Sequence, residues 1–359
     1  MNEHAYKHLA QRLDALPNGF PATDDGAELR LLVKLFTPAE AELAAQLSLT
    51  LETPAEIAAR LDSDPKMIRG QLKGMARRGL IKAGRHSKGK LGYGLLPFVV
   101  GIYEMQVDRI DTELARLFED YYRQAFGETL TMTPSVHRVI PVDQSIRVEM
   151  EVQPFESAAD IVTNAQAWGV VDCICRKQKA LIGEPCQHPV DVCMVLSQTP
   201  GTFDQSKTVR ALTRAEAMDT LQRAAAAGLV HSVSNNQQGL WYICNCCTCS
   251  CGILRGIADL GIANVIARSA FVNKVDEALC LGCGECLPYC QFDALALDEV
   301  MDVNETRCVG CGVCVPFCPE NALGLVRRPA DEILPPPDTE PDWLMERADS
   351  RGLNLDAVR

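Results

Sequence analysis

The strongest constraint on this chain is a duplicated cysteine run. Cys280-Leu-Gly-Cys283-Gly-Glu-Cys286-Leu-Pro-Tyr-Cys290 is followed, at a constant shift of 28 residues, by Cys308-Val-Gly-Cys311-Gly-Val-Cys314-Val-Pro-Phe-Cys318-Pro319. The same shift carries Val275 onto Val303, Gly282 onto Gly310, Gly284 onto Gly312, Pro288 onto Pro316 and Leu295 onto Leu323. Agreement at so many positions marks an internal repeat. The spacing C-x2-C-x2-C-x3-C wraps a tight loop around three corners of a [4Fe–4S] cubane, and its glycines let backbone amides approach the sulfides. The fourth cysteine of each run reaches the other cluster. One ligand set is then Cys280, Cys283, Cys286 and Cys318, and the other is Cys308, Cys311, Cys314 and Cys290. Zinc ribbons pair C-x2-C units and have no use for eight cysteines in this register.

Over roughly residues 271–327 these motifs resemble bacterial two-[4Fe–4S] ferredoxins. The resemblance implies a ferredoxin-like module with two clusters and electron transfer as its work. Gln291 departs from the pattern, standing where the family has proline after the fourth cysteine, whereas Pro319 keeps it.

The remaining cysteines lie upstream in two groups. Cys173-Ile-Cys175-Arg176, Cys186 and Cys193 form the first, and Cys244-Asn-Cys246-Cys247-Thr-Cys249-Ser-Cys251 the second. With 359 residues and no N-terminal leader pattern, the chain is expected to be cytoplasmic, with its 17 cysteines held reduced as metal ligands. Gly169–Cys175 reads as a strand with Cys173 and Cys175 on one face. The first group supplies four thiols, enough for one [4Fe–4S] cluster or a zinc site. The second is too crowded for one cubane. Adjacent Cys246 and Cys247 point apart in an extended chain, so the two groups can meet at one or two shared sites. Buried free thiols, or a Cys246–Cys249 redox pair, are the alternatives. His188 and His231 are weaker candidate ligands, expected to be ordinary histidines. Arg176 and Arg255 flank the cysteines as candidate partners for anionic clusters or as plain surface charges.

The N-terminal quarter reads as helices followed by a hairpin. Thr37-Pro-Ala-Glu40 and Thr53-Pro-Ala-Glu56 are capping boxes with proline in the first turn. Asp64-Pro65 opens a helix to about Arg78 that turns Met67, Ile68, Leu72 and Met75 inward, and a glycine-rich wing spans Gly84 to Gly94. This order resembles winged helix-turn-helix domains. Lys66, Arg69, Lys73, Arg77, Arg78, Lys82, Arg85, Lys88 and Lys90 fall in a stretch without Asp or Glu. They suit DNA phosphates or an acidic redox partner, and the net charge of -12 favours the protein partner. Pro97–Phe126 reads as one long helix, for core packing or a homodimer contact. Ile146–Val152 alternates as an exposed strand, Thr213-Arg-Ala-Glu216 caps a helix to about Ala227, and a hairpin turns around Asn235–Gly239. After Arg328 the composition becomes a polyproline-like linker and a tail whose default is disorder.

Taken with Leu96-Pro-Phe-Val-Val-Gly-Ile-Tyr103, Cys173-Ile-Cys175-Arg176 and Ile243-Cys-Asn-Cys-Cys247, residues 27–327 resemble a family of longer 4Fe–4S-binding proteins of anaerobic bacteria. That family joins a winged-helix start, a cysteine-rich middle and a ferredoxin-like end. Here Thr248 and Ser250 stand where glycine and a further cysteine are expected.

The expected architecture is an α+β multidomain chain. A winged-helix-like domain (1–96) is followed by a connecting helix and strand (97–153) and an α/β cysteine-rich middle domain (154–270). A two-[4Fe–4S] ferredoxin domain (271–328) and a Pro-rich tail (329–359) complete it. The expected function is electron relay to a partner oxidoreductase through two ferredoxin clusters and one or two more in the middle. A redox-sensing DNA-binding regulator and a reductase subunit with a substrate-binding cluster are the rival readings. No Rossmann, Walker or nucleophile-elbow motif supports a nucleotide cofactor or acyl chemistry.

Overall fold

The computed structural model describes residues 3–146, 150–263 and 265–358. It divides into two compact units, one of Met1–Met132, Leu181–Gly183 and Leu344–Arg359, the other of Thr133–Ala180 and Glu184–Trp343. Helix and sheet are mixed throughout, as an α+β chain requires. Among the described residues no helix is long and apolar enough to cross a membrane.

In the first unit, helices α1 (Glu3–Asp14), α2 (Ala27–Leu35) and α3 (Pro38–Ala45) pack together, and α4 (Pro54–Arg60) lies on α5 (Pro65–Arg77). A two-stranded hairpin follows, β1 (Lys82–Arg85) with β2 (Leu91–Gly94). Thr37 and Thr53 close reciprocal capping boxes with Glu40 and Glu56, each satisfying amides that a helix start leaves unpaired. On α5, Ile68, Leu72 and Met75 are buried, but Met67 points out and is 53 % exposed. Met67 neighbours Ile68 in the apolar run but not on the helix face. One residue is a 100° turn around a helix, enough to carry it off the packed stripe.

The single helix expected over Pro97–Phe126 is broken. Val99 and Val100 are extended within a wide turn at Phe98–Ile102, and a 3-10 turn covers Glu104–Gln106. Helix α6 (Thr112–Tyr121) then starts afresh, its cap Asp111 accepting a hydrogen bond from Leu114 N at 2.8 Å. Tyr122–Phe126 widens into a π turn before α7 (Gly127–Thr131). The β-branched pair suits extended backbone, and apolar spacing alone does not separate a helix from an irregular buried segment. The apolar residues build an aromatic core instead, in which Tyr103 stacks on Phe118 with ring centroids 3.7 Å apart. Phe20, Phe98 and Tyr121 close around that pair.

The second unit is built on a six-stranded antiparallel sheet of order β3-β7-β8-β5-β4-β6. Its members in chain order are β3 (His137–Ile140), β4 (Ala167–Val171), β5 (Cys193–Ser197), β6 (Arg210–Leu212), β7 (Val230–Ser234) and β8 (Tyr242–Cys246). Helix α8 (Ala158–Asn164) and helix α10 (Arg214–Ala226) cover one face through Ile161, Val162, Ala217 and Leu221. Between β4 and β5, the chain does not continue as a strand to Cys175. It ends β4 at Val171 and enters α9 (Ile174–Leu181). A short helix, α11 (Arg255–Leu260), follows the second cysteine group.

The ferredoxin segment adds two antiparallel strand pairs, β9 (Phe271–Val275) with β12 (Leu323–Arg327), and the hairpin β10 (Leu295–Leu297) with β11 (Met301–Val303). Ile146 bridges to Leu325; residues 147–149 of the expected Ile146–Val152 strand lie outside the described residues.

The tail is ordered, with a 3-10 turn at Ala330–Glu332 and helix α12 (Glu340–Ser350). In the second unit Gln237 Nε2 donates to Pro336 O at 2.8 Å and Trp343 Nε1 to Ser135 O at 3.0 Å. In the first unit the fully buried Arg347 donates to Pro17 O, Thr129 O and Met132 O. Trp343 and Arg347 are single polar side chains whose partners lie 208 to 330 positions earlier. No local pattern announces them.

Candidate iron–sulfur and metal sites

The two repeat loops fold alike. Each carries a pair of left-handed glycines, Gly282 and Gly284 in the first, Gly310 and Gly312 in the second. Each closes on a 3-10 turn that delivers the fourth cysteine, Leu287–Tyr289 before Cys290 and Val315–Phe317 before Cys318. Tyr289 and Phe317, equivalent by the repeat, stack with centroids 3.3 Å apart and hold the two turns together. Cys280, Cys283, Cys286 and Cys318 open onto one pocket, floored by Met301, Ala322 and Leu323. Burial and the neighbouring Cys318, Cys283 and Cys280 raise the Cys286 thiol pKa. Cys314 is raised by burial and by Cys311, Cys290 and Cys308, and Cys311 is pushed up to about 12 by burial. Crowded, desolvated thiols of this kind give up protons to a metal rather than to water.

Donors aim at the sulfurs. Ala294 N donates to Cys290 Sγ at 3.2 Å and its repeat equivalent Ala322 N to Cys318 Sγ at 3.3 Å. Met301 N donates to Cys280 Sγ at 3.4 Å. Asn273 Nδ2 donates to Cys314 Sγ at 3.3 Å, a side-chain contact that the cysteine spacing does not reveal. Four thiols around one pocket, two of them with a backbone amide on the sulfur, fit the donor set a [4Fe–4S] cluster takes.

The middle cysteines sort into two sets that cut across their order in the sequence. Cys173, Cys175, Cys251, Cys246, Cys244 and Cys193 form a ring in which each thiol perturbs the protonation of the next. The sheet explains much of it. Met194 lies opposite Ile243, so one step along the antiparallel ladder sets Cys193 against Cys244. Strand periodicity turns Cys244 and Cys246 to the same face. Cys173 and Cys175 come from the β4–α9 junction, so their meeting owes nothing to strand alternation. Hydrogen bonding from Cys244 draws the Cys246 thiol down to about 6, against burial.

The second set is Cys186, His188, Cys247 and Cys249, whose ligand atoms all lie within 4.8 Å of one another. Cys186 thus leaves the group it occupies in the sequence and joins the loop after β8. Hydrogen bonding from Cys249, with His188 and Arg176 further on, draws the Cys247 thiol down to about 3 against burial. Arg176, 2 % exposed, donates to Pro189 O and Asn245 O and lies 3.6 Å from Cys247 Sγ. It is a buried cation beside thiolates rather than a surface charge. Arg255 pairs with Asp259 at 2.7 Å. His231 is buried against Asn245 Oδ1, and burial lowers its pKa to about 4. It serves the sheet, while His188 stands among sulfurs.

Gln291 joins the two regions. Its Oε1 accepts from Thr248 N at 2.7 Å and its Nε2 donates to Gly228 O at 2.6 Å. Thr248 sits between Cys247 and Cys249, and Gln291 follows Cys290. The residue that breaks the ferredoxin pattern thus makes a bond its proline counterpart cannot make.

The basic stretch of the first unit lies along α5 and the β1–β2 hairpin. Lys66, Arg69, Lys73, Arg77, Lys82, Arg85 and Lys90 are exposed. Arg78 is paired with Glu40 and Lys88 with Glu56.

Compared with known families, residues 273–325 match the 4Fe-4S dicluster domain. This stretch is therefore a ferredoxin-type iron–sulfur module, and iron–sulfur electron transfer is the class of chemistry it brings. No curated protein and no solved structure matches the chain.

Proposed function

We propose that this protein relays electrons between a partner oxidoreductase and a cysteine-lined centre in its own second unit. Cys280, Cys283, Cys286 and Cys318 would hold the cluster nearer the surface, and Cys308, Cys311, Cys314 and Cys290 the deeper one. Four of the six ring thiols Cys173, Cys175, Cys193, Cys244, Cys246 and Cys251 would hold a third [4Fe–4S] cluster. The carrying observation is the Gln291 junction, which ties a ligand of the deeper cluster to the loop of the middle cysteines by a 2.7 Å hydrogen bond. A ferredoxin module fused only as an independent carrier would have no need of it.

Anaerobic purification with iron and sulfide analysis, followed by an EPR-monitored redox titration, tests this reading. About twelve irons per chain and three reducible centres are expected. About eight irons would remove the third cluster, and the absence of any reducible signal would remove the electron-transfer role.

The first unit supports a second reading, a winged-helix-like platform, because its exposed cations sit on one helix and the adjoining hairpin. An acidic redox protein is the preferred partner, given the net charge of -12. Salt-dependent binding of duplex DNA by the full chain would favour the regulator instead, and no shift at low salt would exclude it.

A further inference from the structure

We infer that Cys186, His188, Cys247 and Cys249 form a mononuclear zinc site, separate from every iron–sulfur cluster of the chain. This deepens the reading above, which assigns the ring thiols to a cluster and leaves these four residues without a role.

Geometry carries the inference. Cys186 Sγ lies 3.1 Å from Cys249 Sγ, 3.7 Å from Cys247 Sγ and 3.0 Å from His188 Nδ1, and Cys249 Sγ lies 3.7 Å from His188 Nδ1. A tetrahedral zinc with bonds of roughly 2.3 Å to sulfur and 2.0 Å to nitrogen sets its ligand atoms about 3.5–3.8 Å apart. A cubane places four thiolates on four different irons, which spreads them farther than one shared ion does. With all four atoms inside 4.8 Å, the group suits one ion.

The ligand chemistry agrees. Three thiolates and a neutral imidazole are a closed zinc set with no position left for water, the mark of a structural rather than a hydrolytic site. Three thiolates on a divalent ion leave one net negative charge, and Arg176, 3.6 Å from Cys247 Sγ, supplies the opposite charge. Cys186-Gln-His188 and Cys247-Thr-Cys249 each provide two ligands with one residue between them. The ion would thereby clasp the loop before β5 to the loop after β8. Thr248, whose amide meets Gln291, is held at the centre of that clasp. The zinc would then be the fastening that holds the Gln291 junction in place.

The test is metal analysis and zinc-edge X-ray absorption on the full chain, purified anaerobically, beside C249S and H188C. The wild type should carry one zinc per chain in a three-sulfur, one-nitrogen shell. Cys249→Ser should lose most of the zinc while iron and sulfide stay at the wild-type level. His188→Cys should keep the zinc and move the shell to four sulfurs, which holds the test open should the serine variant fold poorly. A wild type without zinc, an unchanged shell in H188C, or an iron loss equal to a whole cluster in C249S would overturn the site. Zinc present in a protein whose iron is not reducible would leave the site standing and overturn the electron-relay reading alone.

Discussion

The two halves of the cysteine repeat share spacing, glycines and turn, yet they sit in different surroundings. In the first, Leu281 is 72 % exposed and Cys283 lies at the surface; in the second, its equivalent Val309 is 5 % exposed and Gly312 and Val313 are buried. The second loop is held by the rest of its unit. Ser145 Oγ donates to Gly312 O at 2.7 Å, Ser269 Oγ to Gly310 O at 2.8 Å and Val142 N to Cys311 O at 2.9 Å. At the corresponding glycines the first loop meets its own turn and hairpin, at Leu287, Leu297 and Glu299. A duplicated motif thus presents one loop to solvent and buries the other within its unit. Exposure, hydrogen bonds to sulfur and burial set cluster potentials, so identical ligand sets need not behave identically.

The sharpest way to break this comparison is to remove one ligand from each half. Cys280→Ala and Cys308→Ala should each lose about four irons or convert one cluster to a lower iron count. The buried half should also lose thermal stability, which unfolding with parallel iron analysis would read; unchanged iron in either variant would refute the ligand sets.

The paired glycines come next. Both Gly284 and Gly312 have φ near the left-handed region's centre, at 75° and 70°. An added Cβ at Gly284 meets the Leu297 side chain at 3.2 Å, whereas at Gly312 it meets Ser145 Cβ at 2.6 Å and Leu325 Cδ1 at 2.9 Å. Gly284→Ala should cost about 1 kcal/mol for the backbone. Gly312→Ala should cost about 2–4 kcal/mol, the overpacking adding to the same strain. Equal losses in chemical denaturation would mean the two loops are equally free.

Gln291→Pro restores the repeat and deletes two hydrogen bonds, one leaving Thr248 N without its acceptor. A loss of about 1–3 kcal/mol is expected. Iron content should stay level while electron exchange between the ferredoxin and middle centres slows, as freeze-quench EPR would record.

The smallest effect concerns Asn273, whose repeat equivalent is the apolar Met301. Asn273 gives Cys314 a side-chain amide, and Cys286, the equivalent of Cys314, has Met301 packed beside it. Asn273→Leu should lower the potential of the deeper cluster by roughly tens of millivolts. A titration in which that cluster stays put would remove the proposed asymmetry.

Much of this was legible in the chain itself. Eight cysteines at a fixed shift name their chemistry because a cubane's corners impose that spacing on any loop that wraps them. Capping boxes at Thr37, Thr53 and Thr213 place helix starts because the bonding is local, and the structure has all three. The aromatic segment 97–126 misled, since a buried irregular segment is as apolar as a helix. The tail misled because Trp343 and Arg347 find partners far away in sequence.

What the sequence determined alone was therefore whatever depends on neighbours along the chain, above all the repeat of Cys280–Cys290 and Cys308–Cys318. Tertiary structure alone decided how the middle cysteines divide. Cys186 leaves Cys193 to meet Cys247, Cys249 and His188, while Cys193 turns to Cys244. It also decided that the first repeat loop faces solvent and the second faces Ser145 and Ser269. The cysteines of each repeat loop have only two or three residues between them. The middle cysteines come from β5, β8, α9 and the loops beside them, which only the folded sheet brings together.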